Sequence, residues 1–163
     1  MRGPALRIRE AVEADVPLVA SLIRELAEYE RLLDEVTMTE ERLRTSLFGG
    51  RPYAEVAIAE DAAGEPLGFA LFFHNFSTFL GQPGIYLEDL FVRPAYRGAG
   101  VGRALLEHLA RLAAERGCGR LEWAVLDWNE PAIGFYERLG ARPNDAWTVY
   151  RLSGEALTRL AAG

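Results

Sequence analysis

Residues 97 to 103 read Arg97-Gly98-Ala99-Gly100-Val101-Gly102-Arg103, three glycines spaced by small residues and flanked by two arginines. Glycines let a backbone pass close to a ligand. Where such a turn runs straight into a helix, the uncapped N–H groups of the first helical turn face an anion. Phosphate is the anion that fits, and Arg97 and Arg103 add charge that can pair with its oxygens. Two better-known glycine motifs fail: a dinucleotide fingerprint needs a third glycine where Arg103 stands, and a Walker loop needs a lysine. The sequence has no lysine, all 18 basic residues being arginine, which also removes Schiff-base chemistry. His74 and His108 lack ligand-spaced partners, so no metal site and no catalytic triad is expected. Cys118 is the single cysteine, so no intrachain disulfide can form.

The elements that must carry this turn can be read from periodicity. Leu6 to Arg9 alternates as a first strand would. Leu18, Leu22 and Leu26, with Val19 and Ile23 beside them, make one apolar helical stripe with Asp15 near its start. Thr39 is a candidate N-cap for a second helix through Leu43 and Leu47. Ala54 to Ala59 and Leu67 to Phe76 read as a hairpin about Asp61 to Pro66. Gly81 to Gly84, with Pro83 inside, reads as a turn before a strand from Ile85 to Val92 that Pro94 ends. A helix from Gly100 to Arg116 stops at Gly117 and Gly119. Leu121 to Leu126 reads as a strand and Pro131 to Leu139 as a helix ended by Gly140. Thr148 to Leu152 reads as a last strand, and Ser153 opens a terminal helix. This order gives an α+β domain with a mixed, mostly antiparallel sheet flanked by helices and one parallel crossover.

At 163 residues, half of them hydrophobic, a single domain spanning 1–163 is expected. No run approaches the roughly 18 apolar residues of a membrane span, and Met1 to Arg9 lacks the features of a signal peptide, so the expectation is a cytoplasmic protein without a membrane partner. A formal charge of -6 argues against nucleic acid and for a cationic partner.

The segment Arg97 to Gly102 resembles the Arg/Gln-x-x-Gly-x-Gly/Ala signature of the GNAT superfamily of N-acetyltransferases. Glu25 to Glu30, Tyr86-Leu87-Glu88-Asp89-Leu90-Phe91-Val92, and Asp127 to Pro131 with Phe135-Tyr136 resemble the diamine (spermidine/spermine) and thialysine acetyltransferases within it. The resemblance implies the GNAT fold, acetyl-CoA as cosubstrate, no metal, a small cationic amine as acceptor and a homodimer. It implies that Leu90, Phe91, Val92, Gly98, Ala99, Gly100, Val101, Gly102 and Arg103 hold the pantetheine arm and pyrophosphate, with Arg97 beside them. Asn129, Glu130, Pro131, Ala132 and Tyr136 complete that side. Tyr29, Glu30, Glu88, Asp89, Glu122, Trp123 and Ala124 match positions lining the amine site, and Asp145 is the nearest match to a further acidic residue there.

Transfer of acetyl from a thioester to an amine needs a neutral amine, a donor for the charge developing on the carbonyl oxygen, and a proton for the departing thiolate. Glu88 is the candidate base and Tyr136 the candidate acid. The oxygen would meet a backbone N–H near Phe91 or Val92, freed by a bulge or a splayed strand. Glu-Pro at 130–131 resembles the polyamine branch and Ala124 to Asn129 the thialysine branch, so the acceptor stays open between them. A general small-amine acetyltransferase and a non-catalytic acyl-CoA sensor are the alternatives.

Overall fold

The computed structural model describes residues 5–163, so the part of the N-terminal reading that falls on Met1–Pro4 lies outside the described residues. The chain divides into two compact units, Met1–Ala124 and Val125–Gly163.

The first unit is built on one sheet of order β1-β2-β3-β4-β5. Its strands are β1 (Arg7–Glu10), β2 (Glu55–Glu60), β3 (Pro66–Ser77), β4 (Gln82–Val92) and β5 (Leu121–Trp123). The first four are antiparallel neighbours, and β5 joins β4 in parallel after the crossover helix α3 (Val101–Glu115). One face of the sheet packs under α1 (Val16–Tyr29) and α2 (Glu40–Phe48), where Val19, Leu22 and Leu26 meet Leu43, Leu47, Val56, Ile58, Phe69 and Phe91 in one core. Val101, Leu105, Leu109 and Ala113 of α3 are buried as well, and α3 packs on β4 and β3. The expected N-cap forms, the Thr39 hydroxyl accepting from Arg42 N–H at 3.1 Å.

Three expectations need correction. The turn before β4 comes three residues earlier, at Thr78 to Gly81, and the strand starts at Gln82. Pro83 lies opposite Phe76 in the β3–β4 ladder. The fifth strand ends at Trp123 rather than Leu126, because it follows β4 only through the pairs Ile85–Leu121, Tyr86–Glu122 and Leu87–Trp123, and β4 bulges at the next residue. Thr148 to Leu152 forms no strand. Its β-branched and aromatic content favours an extended chain, but a ladder needs a partner, and Val149 and Tyr150 are 89% and 94% exposed.

The second unit carries α4 (Glu130–Arg138) and α5 (Gly154–Ala161). Asn129 caps α4, its side-chain oxygen accepting from Ala132 N–H at 3.4 Å, with Pro131 in the first turn and Gly140 at φ 92° just past the end.

An ionic network ties β1 and β2 to the start of α1. The Arg9 guanidinium donates to both Asp15 oxygens at 2.7 and 2.9 Å and to Glu60 at 2.9 Å, and Arg7 also pairs with Glu60. Hydrogen bonds from Arg9 hold the Asp15 and Glu60 carboxyls below the usual range, and Arg116 does the same for Glu55 through bonds of 2.7 and 2.8 Å. Carboxyls depressed in the folded state contribute stability above their unfolded pKa and lose it as pH falls through the folded value. The melting temperature is therefore expected to fall steeply between about pH 5 and pH 3. Asp15→Asn should make that fall shallower in thermal denaturation followed across pH, and an unchanged slope would remove Asp15 from the account.

Candidate active site

The site grows from one irregularity in β4. Leu71 pairs with Asp89 while Phe72, the next residue of β3, pairs with Leu87, so Glu88 is an extra residue with no partner opposite it. Side chains alternate along a strand, and one inserted residue reverses the alternation beyond it. Before the bulge, Tyr86 lies on the α1 face with its partners Phe73 and Glu122, its ring 5.3 Å from that of Phe73. After it, Asp89 and Phe91 lie on that same face, Phe91 within the α1 core. Without the bulge Asp89 would follow Ile85 and Leu87 into the opposite, apolar layer. Of the bulge or splayed strand expected near Phe91 or Val92, the bulge sits three to four residues earlier, at Glu88.

The result is an acidic row on the α1 side. Burial first, then the nearby charges of Glu88 and Glu30, push the Asp89 carboxyl up to about 7. Burial raises Glu30, which follows the last residue of α1. Tyr86 is raised by burial and then by Glu88 and Glu122. Glu122 is held through one oxygen, Oε1, which accepts from Asn75 Nδ2 at 3.1 Å and pairs with Arg120 Nε at 2.7 Å. Gly84 stands opposite Asn75, where a Cβ would press on the Asn75 Oδ1. Asn75 and Arg120 had no local signal in the sequence, and nothing local marked Tyr86 or Gly84 as neighbours of Glu122. Only the pairing of strands distant in sequence brings them to Glu122.

Beyond Leu87 the β5 side of β4 has no pairing strand among the described residues. Arg93 N–H donates to the Leu67 carbonyl on β3 at 2.9 Å. By alternation Phe91 also bonds toward β3, whereas the backbone groups of Leu90 and Val92 face the unpaired edge. A splayed edge that can receive an extended, amide-bearing arm is therefore present, with Leu90 and Val92 as its donors.

The glycine turn follows directly. Gly98 and Gly100 have φ of 80° and 84°, a conformation that side chains disfavour, and nothing lies within 4 Å of the space in front of either. Gly100 caps α3 without a side-chain bond, so the N–H groups of Val101, Gly102 and Arg103 are open to an anion. Arg103 pairs with Glu107 at 2.8 Å on the exposed helix surface. Arg97 folds back instead of reaching outward. Its Nε donates to the Val92 carbonyl at 3.0 Å, and its Cζ lies 4.3 Å from the centre of the Tyr29 ring and 5.7 Å from that of Phe91.

The first unit therefore brings Tyr29, Glu30, Glu88, Asp89 and Glu122 to one side of the unpaired edge formed by Leu90 to Val92 and the turn at Arg97 to Arg103. Trp123 is half-buried in β5, and Ala124 follows the strand's end. In the second unit, Asn129 to Ala132 form the capped start of α4. Tyr136 lies in the same helix with its ring 5.6 Å from that of Phe135, and Asp145 sits in an exposed turn.

Residues 19–141 match the model of the acetyltransferase (GNAT) family. The chain is 43% identical to the thialysine N-epsilon-acetyltransferase of Bos taurus over 94% of this chain and 96% of that protein. It is 35% identical to the L-ornithine N5-acetyltransferase NATA1 of Arabidopsis thaliana, over 94% and 87%. Among solved structures, an integron cassette protein from the mobile metagenome of V. cholerae superposes with a TM-score of 0.81 at 29% identity, over 99% of this chain and all of that one. A bulged and splayed β4, a phosphate-ready turn into α3 and these matches lead to one conclusion: the chain belongs to the GNAT family of acetyltransferases.

Proposed function

We propose that this protein transfers the acetyl group of acetyl-CoA to a primary amine of a small substrate with a second cationic centre, a diamine of the thialysine or polyamine kind. The observation that carries this reading is the acidic row of Glu30, Glu88, Asp89 and Glu122 beside the unpaired edge of β4. Burying a substrate cation without a partner is expensive, so several carboxylates select for more than one positive charge. The names of the relatives, which act on thialysine and ornithine, support the same class.

Acetyl-CoA supplies the thioester. Leu90 and Val92 hold the pantetheine arm through their backbones, and the helix start at Val101 to Arg103 takes the pyrophosphate. The family resemblance assigns Asn129 to Ala132 to the cofactor as well. An alkylamine with a pKa near 10 is about three units from neutrality at pH 7, so its deprotonation costs on the order of 4 kcal/mol. Asp89, at about 7, accepts that proton, and the adjacent Glu88 keeps Asp89 basic by repulsion. As the N–C bond forms, charge on the carbonyl oxygen meets an N–H of the β4 edge; as the C–S bond breaks, Tyr136 donates a proton to sulfur.

Free-thiol release with acetyl-CoA, measured over thialysine, ornithine, spermidine, putrescine and butylamine, tests this reading. The diamines are expected to exceed butylamine in kcat/KM by about tenfold or more, the scale of one desolvated charge pair. Equal rates for butylamine would remove the role of the acidic row. Binding of CoA with no turnover on any amine would favour a cofactor sensor instead.

A further inference from the structure

Arg97 covers one group from each half of the site. Its Nε is spent on the carbonyl of Val92, a polar group on the unpaired edge of β4, and its guanidinium carbon stands 4.3 Å from the centre of the Tyr29 ring. A guanidinium at that distance occupies the ring face that an ammonium would use, and it repels a second cation there. The contact to Phe91 at 5.7 Å keeps it over the strand. In the turn that follows, nothing lies within 4 Å of where a Cβ on Gly98 or Gly100 would stand, so the space beside Arg97 is open there.

We propose that Arg97 is a removable plug that makes amine binding conditional on cofactor binding. In the free protein it occupies the Val92 carbonyl and the Tyr29 ring face. An amide-bearing arm laid along β4 competes for Val92, withdraws the guanidinium and opens the ring face to the amine. Arg97 is thus a positioning residue acting through Tyr29, and the inference rests on the acetyl-CoA and amine reading above.

Calorimetric titration of thialysine into the full chain, with and without saturating CoA, tests it without turnover. In the unaltered protein thialysine should bind at least about fivefold tighter when CoA is present, and CoA should gain by the same factor from thialysine. In Arg97→Gln that ratio should fall to within about twofold of one, because affinity in the absence of CoA rises. Tyr29→Leu should also bring the ratio near one, with weak binding in both states. A ratio near one in the unaltered protein overturns the plug, as does an Arg97→Gln that weakens thialysine equally in both states, the mark of a simple brace. Either result leaves the acetyl-CoA reading intact, whereas a chain that binds no CoA at all overturns that reading and the plug with it.

Discussion

Asp89→Asn is expected to lower kcat/KM for the best diamine by about 100-fold or more and to raise the melting temperature at pH 8. The loss is the usual scale for removing a general base. The choice of Asp89 over its neighbour rests on placement. The bulge at Glu88 turns Asp89 toward Tyr86, Glu30 and the α1 face, where burial and two nearby carboxylates raise it to about 7. The unaltered enzyme should therefore show kcat/KM rising with pH through about 7. Glu88→Gln removes a repulsion that raises Asp89, so it should move this limb to lower pH at a modest cost in rate. Asp89→Asn should remove the limb. If Glu88→Gln abolishes the limb and costs the 100-fold, the base is Glu88 and Asp89 only binds.

Stability follows from the same shift. A carboxyl raised in the folded state binds its proton more tightly there than when unfolded. Its contribution is fully present below the unfolded pKa near 4 and is lost as pH rises through about 7. At pH 8 the ionised Asp89 is therefore a liability on the order of 2–4 kcal/mol, and asparagine should raise the melting temperature by about 5 °C or more. At pH 5 the gain should largely vanish. A position where activity is lost and stability gained is the signature of a site strained for function.

Much of this layout was legible in the sequence, and what was not has a physical reason. The stripe of Leu18, Leu22 and Leu26, the Thr39 cap, the hairpin about Asp61 and the turn into α3 are local patterns, and all four form. A bulge is a property of two strands. Tyr86 to Val92 alone could not show that Phe72 skips Glu88, and so could not rank Glu88 against Asp89. Arg97 was legible as a charge beside a phosphate turn, but its stacking on Tyr29 depends on where α1 ends, 68 residues earlier in the chain. Thr148 to Leu152 has the composition of a strand without the partner that would make it one, which composition cannot report.

Tyr136→Phe is expected to lower kcat by about 100-fold while leaving the KM for acetyl-CoA within about threefold. The argument is one of proton balance. A thiol ionises near 8.5 and a phenol near 10, so donation from phenol to the departing sulfur is uphill by only about 2 kcal/mol. Within the second unit, α4 is held at both ends. Asn129 caps α4, Pro131 fixes its first turn, and the Tyr136 carbonyl accepts from the N–H groups of Leu139 and Ala141 as the helix closes. Phenylalanine keeps the ring and its contact with Phe135 but removes the one transferable proton, so ground-state binding survives and the bond-breaking step does not. Steady-state kinetics at saturating diamine separates the two parameters. A kcat within threefold of the unaltered enzyme would take the acid role away from Tyr136, and a KM that rises with unchanged kcat would make it a cofactor contact alone.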